Sequence, residues 1–213
     1  MDADLLALVA ETTRRSCRIT AGKLTGQKPA LKMKEVWAIR ARLELARRVR
    51  DLALFNLAID SKLRGCDLVA LKVEDVTAAG EVKTRGVIIQ KKTQRPVQFE
   101  ITPQTRAAVG ELIARRRLKA SDYLFPSRME SSPHLSTRQY ARIVHGWVGS
   151  IGLNPATYGT HSLRRTKAAL IYRKTGNLRA VQLLLGHTKL ESTVRYLGVE
   201  VDDALAISEQ VDL

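Results

Sequence analysis

From Lys32 to Leu63, apolar side chains recur at helical intervals, at Val36, Ile39, Leu43, Leu45, Leu52, Phe55 and Ile59. The spacing predicts two consecutive amphipathic helices and confines the start of the fold to helix packing. The period changes between Lys72 and Ile101, where VIIQ and PVQFEI are rich in branched and aromatic residues. Joined by the polar stretch KKTQR, they predict a small antiparallel hairpin. Helix then returns. Thr102 followed by Pro103 is a start signal, with apolar positions running to Ile113 before the basic cluster Arg115, Arg116 and Arg117. Ser136 with Gln139 resembles a capping box that opens a further helix, which Gly152 would close. Leu163 to Lys174, Leu178 to Leu185 and Glu191 to Leu197 each end near a glycine, at Gly176, Gly186 and Gly198. The expected fold is α+β, mostly α-helical, with a small antiparallel sheet.

A chain of 213 residues can bury a sizeable core. It contains no uninterrupted apolar run near the ~20 residues needed to cross a bilayer. The start, MDADLLALVAETTRR, places acids before its apolar stretch, which does not fit a secretory signal, so export is not expected. Cys17 and Cys66 have neither metal-ligand spacing nor further partners, and both are read as inert thiols of a reducing cytoplasm. Residues 14–30, with Gly22, Gly26 and Pro29, read as a linker.

Lys and Arg number 36 against 21 Asp and Glu, a net charge of +15. The excess is uneven. Glu200 to Leu213 carries five acids and no Lys or Arg, so the preceding 199 residues hold 36 minus 16, or +20. Such a body attracts a polyanion through counterion release. Charge alone fits a ribosomal or membrane-surface protein equally well.

The motifs are sharper. In THSLRR, His161 and Arg164 stand three apart and can share one helical face. In LLLGHTKLESTVRYLG, His187 follows a glycine and Tyr196 stands nine residues later. Each has an ordinary reading: a solvated helix face for the first pair, a turn histidine, a half-buried tyrosine, and core packing for Leu183, Leu184 and Leu185. None of these readings explains the combination.

HSLR, then LLGH, then a tyrosine nine residues on resembles the signature of the tyrosine recombinase, or phage integrase, family. LAIDSKLRGCDLVALKVEDV is similar to that family's first-arginine segment. The resemblance makes Arg64 the first phosphate-binding arginine and Asp67 an acid that orients the site. It places the hairpin lysine in VIIQKKTQRPVQF, where Lys92 is chosen over Lys91. The likeness runs from about Leu31 to Leu213. It divides the chain into an N-terminal extension and linker at 1–30 and a catalytic domain at 31–213 that includes an acidic tail at 200–213.

The implied chemistry explains these residue types. Phosphodiester cleavage adds charge to nonbridging oxygens, which Arg64 and Arg164 would meet with bidentate donors. His161 would take the Tyr196 proton, Lys92 would protonate the departing 5′ oxygen, and His187 would position the phosphate. No cofactor, ATP or metal is required. The implied partner is double-stranded DNA, engaged by a homo-tetramer on two synapsed sites and by a monomer when free, with accessory DNA-binding proteins possible.

Family members commonly carry an N-terminal helical domain of about a hundred residues, which does not fit before Leu31. The chain is similar in this respect to short recombinases that invert fimbrial promoters, or it is a truncated piece. Two other functions stay open here, a type IB topoisomerase-like relaxing activity and a DNA-binding regulator that no longer cuts. On the tail, Val201, Leu205 and Ser208 form one helical stripe, expected to dock on its own domain or on a neighbouring protomer.

Overall fold

The computed structural model describes residues 27–129, 132–198 and 209. Two helices open it, α1 (Met33–Leu45) and α2 (Val49–Ser61). They are followed by two short helices, α3 (Gly65–Val69) and α4 (Val73–Val76). Strands β1 (Thr77–Ala78), β2 (Glu81–Val82), β3 (Arg85–Ile89) and β4 (Pro96–Glu100) come next. The remaining helices are α5 (Pro103–Arg116), α6 (Thr137–Ser150), α7 (Thr160–Thr175), α8 (Leu178–Leu185) and α9 (Leu190–Leu197).

Helix α2 is the central element, buried almost all round, and it packs against α1, α5 and α7. Leu54, Phe55 and Leu57 are fully excluded from solvent. Each contributes about 1.5–3 kcal/mol through loss of water contact. Trp147 of α6 meets Phe55 edge to face at 5.4 Å, an arrangement that aligns the positive ring edge with the negative face. The expected helices are present, and α6 opens with Ser136 Oγ accepting from the Gln139 amide at 3.1 Å. Leu45, counted among the helically spaced apolar positions, lies off the buried face: it is the last residue of α1 and is 87% exposed.

The predicted hairpin is β3 with β4, paired antiparallel from Arg85 opposite Glu100 to Ile89 opposite Pro96. Gly86 faces Phe99, and a Cβ there would lie 2.5 Å from that ring, so the strand needs glycine. A second hairpin, β1 with β2, was not anticipated. Its turn uses Ala79 and Gly80, both with positive φ, a geometry that matches strand twist but leaves few branched residues to announce the strands.

A buried charge network fastens these layers. Lys62, fully buried, donates to the Asp60 carbonyl and both Glu100 oxygens, while Lys167 bridges Asp60 and Glu100 at 2.8 and 2.7 Å. Thr102 and Thr105 hydroxyls both donate to Asp60 Oδ2 at 2.6 Å. Two cations and two anions thus join α2, β4, α5 and α7 with their bonds satisfied, the condition under which buried charge is tolerated.

Behind α7 lies a separate small core of Ala168, Val181 and Leu185, against which Ile171, Tyr172, Tyr196 and Leu197 pack. Of the leucine run, only Leu185 is fully buried, and Leu183 is 63% exposed because the helical turn carries it to the opposite face. The α8 helix ends at Gly186 with φ +63°. A Cβ at Gly186 would lie 2.5 Å from Val97 and 2.9 Å from Gln90, so this glycine serves both the left-handed turn and the close approach of α8 to the hairpin.

Candidate active site

Helix α2 stops at Lys62, whose left-handed backbone (φ 53°) turns the chain so that Arg64 starts α3. Arg64 donates through Nη1 to Gln90 Oε1. Gln90 is fully buried at the end of β3, and its amide nitrogen reaches the Leu185 carbonyl at 3.4 Å. Arg164, only 3% exposed, donates to that same carbonyl at 2.7 Å. The C-terminal end of α8 therefore holds both arginine-bearing elements in one place.

Asp67 clips the hairpin turn to α3, with Oδ1 accepting from the Lys91 amide at 2.9 Å. Its Oδ2 is buried without a hydrogen-bond partner among the described residues. Lys91 and Lys92 are both exposed in that turn. The Lys92 charge acts on His161.

Tyr196 projects from α9 toward the start of α7, and its hydroxyl donates to the His161 main-chain carbonyl at 3.2 Å. Its ring lies under two guanidinium groups, Arg165 at 4.7 Å and Arg164 at 5.8 Å. His187 meets the ring edge on at 5.4 Å. His187 Nδ1 is 3.0 Å from the hydroxyl of fully buried Thr193. When Thr193 donates, Nε2 carries the proton and can donate to an anion.

Burial lowers both histidines, and nearby cations lower them further. For His161 these are Arg164, Arg165, Arg64 and Lys92. For His187 they are Arg164 and Arg64, and its value falls to about 4. Both rings are thus neutral near pH 7. Burial also brings Arg164 down to about 10, which leaves it charged. Burial raises the Tyr196 hydroxyl, while Arg164, Arg165 and Arg64 oppose that rise.

The structure therefore gathers Arg64, His161, Arg164, His187 and Tyr196, with Lys92 and Asp67 on the adjoining turn and helix. Gln90, Thr193 and Arg165 were not singled out from sequence. Gln90 had a signal, a polar residue ending the apolar run VIIQ, and Arg165 adjoins Arg164. Thr193 had none. At the opposite end of α2, a cavity of 420 Å³ is lined by Arg47, Arg48, Arg50, Arg115, Arg116 and Arg128. Only Asp51 on that rim offsets them, paired with Arg48 and Arg50 at 2.7 Å. Among the described residues, no group of three or more His, Cys, Asp or Glu comes together as a metal site. None of their helices is long and apolar enough to cross a membrane.

Arg164, Arg165 and His187 surround the Tyr196 ring, with His161 at the start of the helix its hydroxyl meets, an arrangement able to receive an anionic phosphoryl group next to an oxygen nucleophile. Residues 30–202 match the phage integrase family, and the chain belongs to that family. It is 30% identical over 157 residues to the probable integrase/recombinase YoeC of Bacillus subtilis, covering 74% of this chain and 82% of that protein. It is 28% identical over 162 residues to the tyrosine recombinase XerD of Bradyrhizobium diazoefficiens, covering 72% of this chain and 49% of the relative. The chain thus spans about half the length of that recombinase. Among solved structures, XerA recombinase superposes with a TM-score of 0.70 at 20% identity, covering 87% of this chain and 65% of the other. A post-cleavage complex of XerH with a palindromic difH substrate gives 0.67 at 23% identity, covering 86% and 54%. The fold is that of a tyrosine recombinase catalytic domain.

Proposed function

We propose that this chain is the catalytic part of a site-specific DNA recombinase that cuts and rejoins double-stranded DNA through a 3′-phosphotyrosyl bond to Tyr196. The observation that carries the reading is the placement of the Tyr196 ring against Arg164 and His187, with its hydroxyl at the start of the helix bearing His161. The family's relatives named as recombinases support it.

Arg64 and Arg164 hold the nonbridging oxygens of the scissile phosphate, supported from behind by Gln90 and the Leu185 carbonyl. His187 donates from Nε2 to the same phosphate. The Tyr196 oxygen attacks phosphorus and gives its proton to the neutral His161 ring, which must replace the carbonyl as hydrogen-bond partner when DNA enters. As the new P–O bond forms, the bond to the 5′ oxygen breaks, and Lys92 supplies the proton that oxygen needs. Asp67 sets the turn that carries Lys92. A 5′ hydroxyl from another strand then reverses the steps, conserving the bond energy without ATP.

Residues 31–213 form the catalytic domain on this reading, and a homo-tetramer assembles on two duplexes. The tail stripe of Val201, Leu205 and Ser208 lies outside the described residues. The protein acts in the cytoplasm, where it reaches DNA, and accessory DNA-binding proteins join it at particular sites. The test is covalent capture from a pool of nicked genomic duplexes, followed by sequencing of the protein-linked ends. Enrichment of one sequence motif, with joining between two copies, is expected. Capture without sequence preference, together with relaxation of a single supercoiled circle, would favour the topoisomerase-like reading. Sequence-specific binding without capture would favour a regulator.

A further inference from the structure

Arg165 follows the phosphate-facing Arg164 in sequence but is differently engaged. It is 8% exposed, and its Nη1 donates to the main-chain carbonyl of Lys28. Its guanidinium carbon stands 4.7 Å from the centre of the Tyr196 ring, closer than the 5.8 Å of Arg164. Its Nε is buried without a hydrogen-bond partner among the described residues.

The Lys28 carbonyl is itself well anchored. Leu31 donates from its amide to Thr166 Oγ1 at 3.0 Å, one residue beyond Arg165 on α7. Gln27 reaches the Arg195 carbonyl beside the tyrosine, and Lys28 Nζ reaches the Ala156 carbonyl. The segment entering the domain thus lies against both α7 and α9, and it fixes the direction of the Arg165 side chain.

We propose that Arg165 is a positioning residue for the reaction, held by the Lys28 carbonyl so that its guanidinium clamps the face of the Tyr196 ring. The inference rests on the reading of Tyr196 as nucleophile. Physically, the negative face of an aromatic ring attracts a cation, and the attraction strengthens as the phenol becomes a phenolate whose charge spreads into the ring. Arg165 therefore restrains the ring and favours its reactive form. Arg165 opposes the upward push that burial exerts on the hydroxyl, in keeping with that geometry. With its guanidinium over the ring and one amino group on a carbonyl, Arg165 acts through the tyrosine rather than on the phosphate.

The test uses the full chain, Arg165→Met as a side chain of similar length without charge, and Arg165→Lys as charge without the plane. Two readouts are taken. The first is the titration of Tyr196, followed by carbon-13 NMR of ring-labelled tyrosine and assigned by difference from Tyr196→Phe. The second is the pH profile of covalent adduct formation on a captured nicked duplex at saturating DNA. Arg165→Met should move the titration midpoint to higher pH, displace the rate profile the same way, and slow adduct formation near neutral pH by about 2- to 30-fold. Arg165→Lys should fall between, and DNA affinity should stay unchanged in both. Superimposed titrations and profiles would overturn the proposal, as would a uniform rate loss with neither curve displaced, which a structural defect would give. If Arg165→Met fails to fold, unchanged curves for Arg165→Lys would overturn it too. If wild-type protein forms no adduct but the Tyr196 titration still moves, the recombinase reading fails and the clamp stands.

Discussion

Replacing Gly186 by Ala isolates what the glycine of LLGH contributes. The residue sits at φ +63°, and an alanine there bears about 1–2 kcal/mol for the left-handed conformation. The new methyl would also stand 2.5 Å from Val97 Cγ2 and 2.9 Å from Gln90 Oε1, inside contact distance of groups on the hairpin. Overpacking of this kind costs about 1–3 kcal/mol more. Gly176→Ala supplies the control, because Gly176 has a similar φ of +64° with nothing within 4 Å of its would-be Cβ. Urea denaturation of both variants should therefore show Gly186→Ala less stable than Gly176→Ala by about 1–3 kcal/mol. Thermal melts should separate by about 2–12 °C, at ~2–4 °C per kcal/mol for a chain of this size. Gly186→Ala should also depress phosphoryl chemistry, because Gln90 bonds Arg64 and the Leu185 carbonyl. Equal destabilisation of the two variants, within ~0.5 kcal/mol, would refute the close approach of α8 to the hairpin as the reason for glycine.

Lys92→Ala should slow cleavage of an ordinary strand far more than cleavage of one with a 5′ bridging sulfur, because a thiolate departs without a proton. Equal losses on both substrates would remove Lys92 from the general-acid role, and a selective loss in Lys91→Ala would move that role there. Asp60→Ala should cost about 3–5 kcal/mol near neutral pH, since it strips a buried carboxylate from Lys167 and two threonine hydroxyls. Burial alone would raise Asp60 and Glu100, but their lysine and hydroxyl partners outweigh it and hold both below their ordinary 3.8 and 4.5. Their stabilisation is thus complete above the ordinary values and lost as pH falls through the lowered ones. Chemical denaturation across pH should show the Asp60→Ala deficit shrinking in strong acid, and a constant deficit would contradict the network's ionic origin.

How much was legible in the sequence follows from the range of the forces involved. Gly176, Gly186 and Gly198 marked helix ends because a left-handed residue is a local demand, and all three sit at positive φ. The β3–β4 hairpin was legible because branched residues and a polar turn are also local. By contrast, periodicity shows that a helix has an apolar face without showing what covers it. Leu45 counted among the helically spaced apolar positions, and Leu183 stood in a leucine run read as core packing, yet both are exposed. In the site, His161 and Arg164 were visible as neighbours on one helix, and Tyr196 through its spacing from His187. Gln90 and Arg165 act through contacts that fold distant segments together, from Gln90 to Leu185 and from Arg165 to Lys28, whereas Thr193 meets nearby His187 through a hydroxyl that no sequence pattern announced. The ion network among Asp60, Lys62, Glu100 and Lys167 was invisible for the same reason.

The proposed chemistry requires Tyr196 to become covalently joined to DNA. The most direct measurement is to denature and proteolyse the captured protein–DNA complex and then locate the linked nucleotide by mass spectrometry. The expected result is a peptide spanning Glu191 to Leu197 that carries a 3′-phosphonucleotide on Tyr196, absent from Tyr196→Phe. A nucleotide linked to any other residue, or an adduct that persists in Tyr196→Phe, would contradict the account.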